Sequence, residues 1–403
     1  MTFRVRRPLA VALLSLLASA ALASPASAAT VGERPDSTWG FFKSCGPKSK
    51  ENCAAVYAIA SAGGTVYIGG DFTDIVSPTG KRVKAKSLAA LDARTGAPVP
   101  IFQLHRINGV VYALATNGVQ VYAGGTFTSV DNVTVRHVAA FSASGVQLPF
   151  AANTSGPVRS LVVSGSTLYV GGQFSSPRDR LASFNSVTGA LNRGFSTTFH
   201  AFDTAAVHAL ALSPNGNRLY VGGHFDTVNG HLHRSIAAVS PSSGALDRSF
   251  NPVIESLTPD DPLLLGSDIV ATSSGILLGQ EGHSNRAYRF DLTGRKVWQV
   301  RPEGDVDTLA LAGNSVYLGG HFTCTINCKL PGAITRIHAM AVSYSSGALD
   351  KAWNPALGPT NSPYFFGVRR MRIVNGSLWV GGVFIQVSSG GHTYPRPKLA
   401  VFR

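Results

Sequence analysis

Seven times along this chain, a run of alternating β-branched and aromatic residues ends at a glycine, six times at a Gly-Gly pair. The fullest copy is Leu219, Tyr220, Val221, Gly222, Gly223, His224 and Phe225. Others occupy 66–72, 121–127, 168–174, 316–322 and 378–384. A decayed copy at 276–282 keeps Gly279 but loses the second glycine and the Phe. The first glycines, at 69, 124, 171, 222, 279, 319 and 381, recur at steps of 40 to 62 residues. A period in this range marks a repeat architecture. Period-two alternation is a strand signal, and glycine at its end marks close approach of another backbone. No helical period appears after the first 28 residues, so the repeats are read as all-β.

One unit is legible in full over 207–251. A strand at 207–212 and a turn at 213–217 lead into the motif strand, 218–225. A loop, a third strand at 235–239, a tight turn at 241–244 and a fourth run at 245–250 complete it. The order recurs at 110–150, 158–195 and 306–353. Four antiparallel strands in every fifty or so residues predict a β-propeller blade, and seven copies predict seven blades filling 29–403. The last copy stops at its third strand, 398–402. Near the other end, Asp36 to Trp39 resembles the outer-strand starts Asp247 to Phe250 and Asp350 to Trp353. Residues 34–42 are therefore expected to supply the missing outer strand of blade seven, leaving no unpaired edge.

Residues 1–28 read as a secretory signal peptide. Arg4, Arg6 and Arg7 are the basic region, 9–22 the apolar run, and Ala26, Ser27 and Ala28 the cleavage site. No later segment is long and apolar enough to span a bilayer as a helix. The expected product is a monomer released outside the cell or held at its surface. Formal net charge is +14, and losing the three signal arginines leaves +11. Such a charge favours acidic partners: surface polymers, anionic glycans or nucleic acid. Four cysteines suit an oxidising compartment. Of three possible pairings the local one, Cys45–Cys53 and Cys324–Cys328, is favoured because each bond would clip one irregular loop. A metal site is the alternative, although the spacings match no zinc pattern.

The repeat resembles the delta-60 repeat of secreted and surface bacterial proteins. The resemblance is carried by Gly222, Gly223, Phe225, Val228, Asn229, Gly230, Arg234, Ile236, Ala237, Gly244, Leu246, Asp247 and Phe250. It covers nearly all of 29–403, with the fifth copy departing from it. It implies a β-propeller and no particular activity or ligand. The stretch Leu88 to Gly96 also looks like the repeat of quinone-cofactor dehydrogenase propellers, but Asp92 and Gly96 are accounted for by the turn they build.

Positions that recur in place but vary in type are candidates for function, because the fold does not dictate them. One set follows the glycine pair: Asp71, Thr126, Gln173, His224, Glu281, His321 and Val383. Asp71, His224, Glu281 and His321 could take a sugar, a divalent cation or acid–base work, or merely cap local backbone. A second set opens the inner strands: Tyr57, Tyr112, Arg159, His208, Ser267, Asp307 and Arg369. Mixed aromatic and charged residues there suit a glycan or peptide surface. A third set is uniformly basic: Lys86, Arg136, Arg180, Arg234, Arg286, Arg336 and Arg396. One chemical type in every copy argues for a structural anchor, with a ring of anion-binding groups as the alternative. An acidic pair, Asp260 and Asp261, sits in an insertion at 252–266.

Nucleophile-elbow, phosphate-loop and His-Glu-x-x-His motifs are absent. The expectation is a binding module for an extracellular glycan, anionic polymer or protein, with no obligatory cofactor. The alternative is an extracellular enzyme acting on polysaccharide, or an oxidoreductase, working at one end of the channel.

Overall fold

The computed structural model describes residues 31–46, 53–99, 105–255, 264–282, 285–358 and 367–403. The signal segment, the lysine-rich loop between Cys45 and Cys53, and Asp260 with Asp261 lie outside them. Every described element is a β-strand; no helix occurs among these residues.

Seven sheets follow one another along the chain, each beginning with an inner strand and a middle strand. Sheet one is built on Ala55–Ala62 and Thr65–Asp71, sheet two on Val111–Thr116 and Gln120–Gly125, sheet three on Val158–Ser164 and Thr167–Gly172. Sheet four uses Ala206–Leu212 and Leu219–His224, sheet five Leu265–Ala271 and Ile276–Glu281. Sheet six uses Asp305–Ala312 and Ser315–His321, and sheet seven Val368–Val374 and Ser377–Gly382. A third strand pairs with each middle strand, and all these ladders are antiparallel. Each inner strand packs beside the next, and that of sheet seven packs beside that of sheet one.

The first glycine of each motif explains how neighbouring sheets come so close. A Cβ on Gly124 would lie 2.4 Å from Val158 Cγ1, and one on Gly171 2.4 Å from Val207 Cγ1. A Cβ on Gly381 would lie 2.3 Å from Val56 Cγ1 of sheet one. A valine of the next inner strand thus sits on bare backbone, at the last-to-first junction as well as within the series. The second glycine serves its own sheet. Its N–H donates to the residue just before the third strand, as in Gly70 to Ser87 and Gly223 to Ser235. That residue takes a positive φ, 64° at Ser87 and 62° at Ser235, and its N–H returns to the motif phenylalanine.

The expected fourth strand is a full strand only in sheets two and five, at Gln147–Leu148 and Lys296–Val300. Elsewhere it shrinks to single bridges: Leu91 with Pro98, Phe184 with Leu191, Val239 with Leu246 and Val342 with Leu349. The cause is the aspartate that follows in two of these. Asp247 Oδ1 accepts from the Ser249 N–H, and Asp350 Oδ1 from the Ala352 N–H, curling the chain off the ladder. The curl drops an aromatic inward: Phe250 meets the motif Tyr220 at 5.1 Å and Trp353 meets Tyr317 at 4.9 Å between ring centroids.

In sheet seven this place is taken from the other end of the chain. Pro35 bridges Phe402, and the Asp36 N–H donates to Val401 O, as Asp247 does to Ala238 O in sheet four. The expected 34–42 segment divides, however. Only the residues around 32–36 join sheet seven, whereas Gly40–Phe42 pairs with Asp74–Val76 in a small separate sheet. Both cysteine pairs are local, Cys45–Cys53 and Cys324–Cys328.

Candidate functional site

All seven inner strands carry a β-bulge at one place, between Val56 and Ala58 and at the corresponding positions of the other sheets. The extra residue is Tyr57, Tyr112, Arg159, His208, Ser267, Asp307 or Arg369, the whole inner-strand set singled out in the sequence. A bulge re-aims a side chain without disturbing the rest of the ladder. The second glycine makes room for it: a Cβ on Gly125 would lie 1.9 Å from Val110 O, and one on Gly320 2.0 Å from Asp305 O.

Two clusters form from these residues. In the first, the Tyr57 and Tyr112 rings meet at 5.2 Å and the Arg159 guanidinium lies 4.2 Å over Tyr112. Arg159 Nη2 donates to Gln173 Oε1 at 3.2 Å, joining the post-glycine set to the bulge set. His208 is near enough to feel Arg159 and His224. Burial first, and then those two neighbours, pull its pKa down to about 4, so it is neutral at pH 7. In the second cluster, Arg369 Nη1 donates to Asp307 Oδ1 at 2.7 Å. Burial, and then the adjacent Asp307 carboxylate, raise Glu281 well above the usual carboxylate range. Asp305 is raised too, chiefly by burial, and its Oδ1 accepts the Gly282 N–H. Tyr57 links the clusters: burial raises its phenol, and Arg369, Tyr112, Asp71 and Arg159 all act on it.

Other expected site residues have local duties. Asp71 pairs with Lys43 at 2.6 Å. Thr126 Oγ1 accepts the Val110 N–H, and His224 Nδ1 lies 3.2 Å from Thr204 O and 3.3 Å from Asp203. His321 stands 6.3 Å from the His338 ring. Ser267 is turned away from its counterparts and donates to Val306 O between sheets five and six. Among the described residues no group of three or more His, Cys, Asp or Glu side chains could hold a metal ion.

Part of the uniformly basic set anchors outer segments, while Arg234 pairs with Asp226 of its own loop at 3.6 Å. Arg336 Nη2 reaches the Asp350 and Lys351 carbonyls, and Arg396 Nε donates to Asp36 O. In sheet three Arg178, not Arg180, does this, donating to Phe195 O and Arg193 O.

Sequence reasoning missed a buried network one step deeper. Asp268, 3 % exposed, follows the bulge of sheet five. Its carboxylate accepts from Thr308 Oγ1 and the Leu309 N–H and pairs with Arg370 at 3.1 Å and Arg372 at 3.3 Å. The signal was the basic run Arg369, Arg370 and Arg372 on a strand whose counterparts hold mostly small and apolar residues.

No protein-family profile matches the chain, and no curated protein matches it. Solved structures do. The chain is similar to the WD40 β-propeller domain of Doa1, with a TM-score of 0.50 at 11 % identity over 91 % of this chain and 97 % of that one. It is similar also to the computationally designed Ika8 protein, with a TM-score of 0.50 at 13 % identity over 88 % and 97 %. At such identities the likeness speaks to fold alone, and the fold is a β-propeller.

Proposed function

We propose that this chain is a secreted, seven-bladed propeller of the delta-60-repeat kind. It acts as a monomeric binding module for an extracellular glycan, anionic polymer or protein. The observation that carries this reading is the ring of bulges. One backbone device is repeated seven times, yet its side chains differ and include two tyrosines, two arginines and a histidine gathered at one end of the inner strands. Edge-to-face tyrosines beside fixed guanidiniums suit sugar rings and acidic groups. The net positive charge, two disulfides and a signal-like leader support an extracellular setting.

The test is an array of glycans and anionic polymers probed with the mature protein and with Tyr112→Ala. Binding that Tyr112→Ala weakens at least tenfold supports the module. No binding at low salt, or binding indifferent to Tyr112, overturns this placement of the site. A second reading, a polysaccharide-cleaving enzyme, is favoured by one observation: burial and then the neighbouring Asp307 raise Glu281 well above the usual carboxylate range, the direction a general acid requires. Turnover of a bound glycan that Glu281→Gln abolishes would support that reading.

A further inference from the structure

Beneath the bulges, the inner strands line a half-open cavity of about 310 Å³. It runs from Arg159 past Asp268, Arg370 and Arg372 toward Ser61 and Thr116 near the turns that end the inner strands. Its volume is at the lower limit for small-molecule sites, the size of one sugar residue rather than a chain. The room exists because Ala58, Ala113 and Ser160 occupy the positions at which sheets five and seven carry Asp268 and Arg370.

The charged side chains lining this space are three arginines and one aspartate. Asp268 is shared by Arg370 and Arg372, and it cannot neutralise both. Arg159 forms an ion pair with no carboxylate among the described residues; its contacts are Gln173 and the Tyr112 face. Its Nε is buried with no hydrogen-bond partner. Arg159 is half-buried, and a partly desolvated cation with an unused buried donor is improved by an arriving counter-charge. Guanidinium forks match the planar or tetrahedral oxygens of carboxylate, sulfate and phosphate.

We infer that the channel is a distinct site for one compact oxyanion, which Arg159 and Arg372 bind while Arg370 and Asp268 form the rigid floor. The group is either a free anion or the acidic group of a single sugar-acid residue. This deepens the binding-module reading by naming a ligand class, but its location does not depend on that reading.

The experiment is calorimetry and thermal melting of the mature protein with sodium glucuronate, sodium sulfate and uncharged glucose, at millimolar concentration and matched ionic strength. A saturable rise in melting temperature with an oxyanion, none with glucose, and a loss of affinity of about tenfold or more in Arg159→Gln and Arg372→Gln are expected. Glucuronate binding more tightly than sulfate identifies a sugar acid; the reverse order identifies a free anion. Arg372 is the safer variant, since its side chain is 38 % exposed. No saturable binding of either anion, or equal binding by folded Arg372→Gln, overturns the inference. Array binding lost in Tyr112→Ala, together with no saturable anion binding in calorimetry, would overturn it while leaving the module intact.

Discussion

Sheets four and five are neighbours built on one plan, and they meet the demand for close packing in different ways. Sheet four has both motif glycines and a valine, Val207, that covers bare Gly171 of sheet three. Sheet five has Gln280 for its second glycine and Gly266 where the other six inner strands carry valine. Sheet four's Gly222 stays on its middle strand, so the two facing strands are both bare here. A Cβ on Gly266 would lie 2.4 Å from Ser235 O and 3.0 Å from the Gly223 nitrogen, so backbone meets backbone at this one junction. The bulge residue Ser267 turns between sheets, and the next residue, Asp268, carries the charge into the channel. Every junction keeps a bare middle-strand glycine, and the one between sheets four and five adds a second on the inner strand. Where that second omission falls, the residues facing the channel change with it.

The largest effect expected from disturbing sheet five is at Asp268. Asp268→Asn leaves the largely buried Arg370 and the more exposed Arg372 without a counter-ion and should cost about 3 kcal/mol in urea denaturation. A loss below about 1 kcal/mol would mean that solvent in the channel already screens them. Next comes a paired test of the junctions. Gly124→Ala drives a methyl to 2.4 Å from Val158 and should cost about 2–3 kcal/mol. Gly222→Ala meets the Ile269 Cδ1 tip at 3.0 Å and Ala209 Cβ and Gly266 O at 3.2 Å, looser contacts because Gly266 has replaced the valine, and should cost about 1 kcal/mol. Equal losses at the two glycines would erase the distinction drawn between these junctions.

A third effect has the opposite sign. Gln280 is fully buried with both amide atoms unpaired, so Gln280→Met, similar in shape and without the amide, should stabilise by about 1–2 kcal/mol. A lower melting temperature would show that the amide has a partner such as buried water. The smallest effect is on pH dependence. Glu281 holds its proton more tightly folded than unfolded, so it contributes stability at low pH. That contribution is lost as pH rises from about 4.5 through the raised folded value. Glu281→Gln should flatten this part of the stability profile. An unchanged slope would place the titration elsewhere, Asp305 being the next group to examine.

Much of this was legible because glycine is legible. A residue with no side chain, recurring at intervals, can only mean close backbone contact, and it announced both the sheets and their order. The match between Asp36 and Asp247 located the closing segment, although 34–42 was too long, since Phe41 packs into the core beneath sheet one instead. Local disulfides were legible from spacing. The bulge set was visible as a varying position, but not as a bulge, because the register shift depends on a carbonyl lying where a Cβ would be. Asp268 was opaque for a different reason. Its arginine partners lie 102 and 104 residues away, and nothing local distinguishes a charge neutralised across the channel from one facing solvent.

The pairing of Asp36 with Val401, held by Arg396 from 360 residues away, gives the protein a seam. Every other sheet draws its strands from one stretch of chain and can assemble as soon as that stretch exists. The last sheet needs both extremities at once, so it forms late, and the entropy of closing so long a loop falls on it alone. Removing residues 32–36 bares the outer edge of Leu399–Phe402, an apolar strand with unused hydrogen-bonding groups. Such an edge accepts a strand from any source, including a second copy, so a clipped molecule is expected to betray itself by self-association before it shows any loss of the other six sheets.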